Sequence, residues 1–103
     1  SIPVGVSYSA DPDQVERALL EEVGRAVGSV PGLLADPEPA VRLSPGFGAS
    51  SLDFTVICHV AQFTDQFLVQ HELRKRFLAR LRAEGIAIPF PTRTVVLEDA
   101  RRA

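Results

Sequence analysis

Methionine and tryptophan are absent from this sequence, tyrosine and cysteine occur once each, and Lys75 is the one lysine among eleven cations. The lone Cys58 excludes an intramolecular disulfide and a multi-cysteine metal site. No apolar run approaches the ~18–20 residues that a membrane-crossing helix needs, the best being the broken stretch 54–60. Thirteen acidic groups against eleven basic ones leave a formal charge of −2, so a strongly basic nucleic-acid footprint is lacking. The opening Ser1-Ile2-Pro3-Val4 shows no charged region followed by an apolar segment and a cleavage site. No secretory signal is read there, and a reducing, cytoplasmic setting is the expectation.

What is present is the composition of one soluble domain: 103 residues, 46% apolar and 23% charged. Charge is unevenly placed along it. Residues 1–40 hold two basic groups, Arg17 and Arg25, against seven acidic ones, whereas residues 41–103 hold nine basic against six acidic. Two oppositely biased helix faces account for the split, and contact between identical subunits is the alternative.

Residues 2–8 alternate as a half-buried strand, with Val4, Val6 and Tyr8 on one side. Asp11 then caps a helix, Pro12 suits its first position and Gln14 completes a capping box. Val15, Ala18, Leu19, Val23, Ala26 and Val27 recur at helical spacing, with Glu16, Arg17, Glu21, Glu22 and Arg25 mostly opposite. Gly28 to Gly32 ends the helix, and Leu33-Leu34 is too short for an element. Val41, Leu43 and Phe47 share a parity in a second strand, where Pro45 and Gly46 suggest an edge or a bulge. Leu52, Phe54, Val56, Cys58 and Val60 form one face of the clearest strand in the chain. Thr64 or Asp65 caps a second helix running to about Glu84, with Val69, Leu73, Phe77 and Leu81 at four-residue steps and Leu78 beside them. Cations crowd its second half, where they complement the helix dipole. Gly85 takes the left-handed cap position and Ile86 closes the apolar contact. Residues 94–98 are a final strand. The order predicts an α+β, ferredoxin-like β-α-β-β-α-β two-layer sandwich over residues 1–98, followed by a disordered tail, 99–103.

Chemistry is sparse. Cys58 and His59 are adjacent on a strand and point to opposite faces, which rules out a nucleophile and base pair, and Cys58 is expected to be a small buried residue. His59 and His71 lack a spaced third ligand for a metal. Asp11, Asp13, Asp36 and Glu38 are explained by a cap and a turn. Gly46-Phe47-Gly48 precedes a strand rather than a helix, so no phosphate-binding amino terminus follows it. The face carrying Asp53, Thr55, Ile57 and His59 lacks the aromatics of an RNA-binding sheet. No catalytic set, cofactor or metal site is expected. The one segment without an easy monomer explanation is residues 85–97: two prolines around Phe90 stiffen the exit from the second helix, and Val95, Val96 and Leu97 are apolar on consecutive positions, as in a strand covered on both faces, while helices cover only one face of a two-layer domain.

Val4-Gly5-Val6-Ser7-Tyr8 before an Asp-initiated helix, then Leu34-Ala35-Asp36-Pro37-Glu38-Pro39, then a helix ending in Gly85-Ile86-Ala87-Ile88-Pro89-Phe90-Pro91, resembles the carboxy-terminal cytoplasmic domain of small-conductance mechanosensitive channels. The likeness covers residues 4–98. Thr92 stands where a glutamine often follows the family's Pro-aromatic-Pro. The family's transmembrane helices, pore helix and middle β domain have no counterpart here, so the resemblance implies a fragment of a larger channel subunit at the cytoplasmic side of the inner membrane, or a free-standing relative. It implies a hollow cage of seven subunits with openings for solutes. Residues 94–98 would be a strand of a shared barrel, guided by Pro89, Phe90 and Pro91, and the subunit interface would comprise Pro89, Phe90, Pro91, Thr94, Val95, Val96 and Leu97. The role implied is assembly and solute filtering rather than catalysis. Two other readings are a ferredoxin-like regulatory module that binds a small ligand, and a small enzyme using His59 or His71.

Overall fold

The structure is a computed structural model and describes residues 1–89. Its elements run β1 (Ile2–Val6), α1 (Pro12–Ala26), β2 (Ala40–Phe47), β3 (Leu52–Ile57) and α2 (Asp65–Ala83). Among the described residues the strands form an antiparallel sheet in the order β1-β3-β2, with β3 central. This is the α+β, ferredoxin-like arrangement with its sheet incomplete. The expected last strand, 94–98, and the tail, 99–103, lie outside the described residues.

The helices cover one sheet face because their apolar stripes match it. Val15, Ala18, Leu19, Val23 and Ala26 of α1, and Val69, Leu73, Phe77 and Leu81 of α2, are buried with Ile2, Val6, Val41, Leu52, Phe54 and Val56 of the strands. Asp11 caps α1 as expected, its carboxylate accepting the Asp13 amide at 3.0 Å, and Pro12 begins the helix. The capping box does not form. Gln14 instead donates through Nε2 to Glu84 Oε1 at 3.0 Å, across 70 residues of sequence. At α2, Thr64 is the cap residue without a side-chain bond, while the Asp65 carboxylate accepts the Gln62 amide at 3.0 Å.

β2 is an edge strand with a register break between Arg42 and Gly46, as Pro45-Gly46 predicted. The break takes Leu43 out of the expected inward set, leaving it exposed, and the bulge carbonyl of Ser44 accepts the Thr55 hydroxyl at 2.6 Å. Phe47 pairs with Leu52 but is also exposed, so of the three residues expected to share a face only Val41 is in the core. β3 is shorter than its alternation suggested, ending at Ile57, so Cys58 is half-buried rather than buried. Leu33 is buried and bridges Val60, with the Leu34 amide donating to the His59 carbonyl and the Ala61 amide to the Gly32 carbonyl. That short tie was invisible as an element because its partner is 27 residues away along the chain.

Candidate functional site

The residues that precede the predicted interface in sequence sit where the chain leaves α2. Gly85 adopts φ +70°, its amide donating to the Arg82 carbonyl at 3.1 Å, while the Ile86 amide donates to the Leu81 carbonyl at 2.9 Å. These two bonds are the Schellman closure, and buried Ile86 supplies its apolar contact, both as the sequence predicted. A Cβ on Gly85 would meet nothing within 4 Å, so the glycine is there for its backbone angle. The chain then passes the start of the molecule: the Ala87 carbonyl accepts the Ser7 amide at 2.9 Å.

An ion cluster fixes this end of α2 to α1. Arg80 directs Nη1 to Glu22 at 2.9 Å, Nη2 to Glu21 and Nε to Glu84, and Arg25 adds a second bond to Glu22 at 2.9 Å. Glu22 is therefore buried but doubly paired, which corrects its placement on the solvent side of α1. Hydrogen bonds from Gln14 and then Arg80 hold the Glu84 carboxyl below its usual range, and the bond to Glu21, followed by those to Glu84 and Glu22, raises the already high Arg80 pKa. The cluster was missed in the sequence. Its signals were Glu21 beside Glu22 and Arg80 four residues before Glu84, but nothing local says that the two sets meet.

Beside this anchor lies a mostly apolar patch. Leu78 and Ile88 are exposed and line, with Arg82, Ile86, Ala87 and Pro89, an open depression of about 530 Å³. On its other side Ile88 borders a groove of about 190 Å³ against Pro3, Val4 and Gly5 of β1. Of the predicted interface residues, Pro89 is half-buried in this region. Phe90, Pro91, Thr94, Val95, Val96 and Leu97 lie outside the described residues.

Cys58 has its thiol pKa pushed up by burial, opposite to what a reactive thiolate needs. His59 and His71 are both exposed, and among the described residues no group of three or more His, Cys, Asp or Glu side chains is placed to hold a metal ion. No described helix is long and apolar enough to cross a membrane.

The fold and its fixed exit from α2 define a ferredoxin-like domain whose distinctive geometry lies at the carboxyl end rather than in a pocket of polar groups. Residues 1–88 match the family model described as the carboxy-terminal part of the mechanosensitive ion channel MscS. The chain is 36% identical over 102 residues to a small-conductance mechanosensitive channel of Edwardsiella ictaluri, covering 99% of this chain and 34% of that one. It is 35% identical over 100 residues to an uncharacterized MscS family protein of Archaeoglobus fulgidus, covering 97% of this chain and 33% of that one. The chain belongs to the MscS mechanosensitive channel family. It spans about a third of the length of these curated relatives.

Proposed function

We propose that this domain is the cytoplasmic cage portion of a mechanosensitive channel subunit and works through assembly rather than catalysis. Seven copies would enclose a vestibule that solutes cross on the way to the pore. Residues 94–98 of each copy would join a shared barrel, with Pro89, Phe90 and Pro91 aiming the chain and Thr94, Val95, Val96 and Leu97 meeting neighbouring copies. No nucleic acid or cofactor has a part in this reading, and the membrane is engaged through other parts of the subunit.

The observation that carries the proposal is the anchored exit from α2. The left-handed Gly85, the buried Ile86 and the Arg80 cluster together fix the path by which the chain leaves α2, which suits a following strand shared among copies better than it suits a frayed terminus. Consecutive apolar residues at 95–97 suit a strand covered on both faces. The test is a full-length subunit carrying Val95→Asp and Leu97→Asp, followed by size-exclusion chromatography with light scattering in detergent. Loss of the assembled ring is expected; normal assembly would overturn the proposal.

A further inference from the structure

The two helices are oppositely charged. α1 holds Asp13, Glu16, Glu21 and Glu22 against Arg17 and Arg25, whereas α2 holds Arg74, Lys75, Arg76, Arg80 and Arg82 against Asp65 and Glu72. Part of this charge is used where the helices meet. Arg80 and Arg25 take up Glu21 and Glu22, and Arg76 donates through Nη2 to Ser29 Oγ at 3.2 Å, just beyond the end of α1. Asp13, Glu16, Arg74 and Arg82 have no ion-pair partner among the described residues.

These unpaired charges fall on the two outer flanks of the helix layer. Two positions along a helix turn a side chain about 200° around its axis. On α1, Gln14 and Glu22 reach toward α2, so Glu16 and Leu20, each two positions from one of them, face the other way. On α2, Arg76 and Arg80 reach toward α1, so Arg74, Leu78 and Arg82 likewise turn outward. Each flank has an exposed leucine set among charges. Leu20 lies in a shallow hollow of about 430 Å³ lined by Asp13, Glu16, Arg17 and Glu21. Leu78 belongs to the apolar depression that Arg82 rims, and Arg74 stands one turn before it beside the same leucine.

One molecule cannot bring its two flanks together, because both helices lie between them. Two copies can. Acid against acid or base against base would repel, whereas the α1 flank against the α2 flank sets opposite charges around an apolar centre. Since the two surfaces differ, such a contact is head-to-tail, leaves one flank of each kind free and repeats until the rotation closes a ring.

We infer that the outer flanks of α1 and α2 are the two halves of a seam between neighbouring copies of this chain, with Leu20 of one copy seated beside Leu78 of the next and Glu16 facing Arg82. The inference deepens the assembly reading and rests on it, adding a helix seam built wholly from described residues.

Cross-linking in the full-length subunit, with Cys58→Ala and no other cysteine, tests it. With Leu20→Cys and Leu78→Cys in one chain, a short bismaleimide should give a ladder of linked copies. Either substitution alone should give monomers, because equivalent positions do not meet across a head-to-tail contact. A ring that assembles normally by light scattering but yields no ladder overturns the inference and leaves the assembly reading standing. Dimers from Leu20→Cys alone, as abundant as those of the double variant, overturn it too, since like flanks would then be meeting. A subunit of natural sequence that stays monomeric removes the assembly reading and this inference together. Should the cysteine variants fail to assemble, charge reversal gives the answer: Glu16→Arg and Arg82→Glu should each lower the assembled fraction and should together restore it. A pair no better than either substitution alone overturns the inference.

Discussion

At the scale of single residues, Arg80 carries more of the architecture than any other charged group described here. It joins three carboxylates, Glu21 and Glu22 on α1 and Glu84 at the cap of α2, and one of them, Glu22, is buried. Removing one partner from a desolvated set strands the others, which costs more than trimming an exposed pair. Arg80→Ala should therefore lower the urea midpoint more than Arg25→Ala, whose side chain is largely exposed. Glu84 supplies a pH-dependent counterpart. Its carboxyl is held below the usual range by Gln14 and Arg80, so it contributes stability that is fully present above the ordinary carboxylate value of about 4.3 and lost as pH falls through its lower folded value. Glu84→Gln should thus be less stable than the natural chain at pH 7, and the gap should narrow below about pH 4. Urea titrations at a series of pH values check both statements; a gap constant down to pH 2 would contradict the second.

At the scale of elements, much of the fold was legible because local signals and burial agree. The Asp11 cap with Pro12, the Val69, Leu73, Phe77 and Leu81 stripe, and the Gly85-Ile86 closure all read directly from spacing and residue type. What was not legible is long-range. Gln14 had a local partner in prospect and chose Glu84, and Glu22 looked solvent-facing until Arg80 met it. Leu43 left its strand face because the bulge opens before it returns to register. Two glycines separate backbone freedom from crowding. Gly85→Ala meets open space and should cost about 1 kcal/mol, the price of a left-handed angle alone. Gly32→Ala shares that cost at φ +86° and in addition drives its Cβ to within 2.6 Å of the Asp65 Cβ, so it should lose clearly more. Equal thermal midpoints for the two variants would contradict this.

At the scale of the whole molecule, the proposed interface residues rest on family likeness, since Thr94, Val95, Val96 and Leu97 offer the sequence little more than β propensity and, at 95–97, apolar bulk. The structure adds an anchored point of departure for them, in a chain whose single cysteine, Cys58, is easily replaced. That makes proximity directly measurable. In a full-length subunit with Cys58→Ala and no other cysteine, Thr94→Cys should form disulfide-linked dimers under mild oxidation, because the proposed shared barrel would bring residue 94 of neighbouring copies close together. Cross-linking confined to the assembled channel, and lost in the Val95→Asp and Leu97→Asp background, is the expected outcome. Monomers alone after oxidation of a channel that has assembled normally would contradict it.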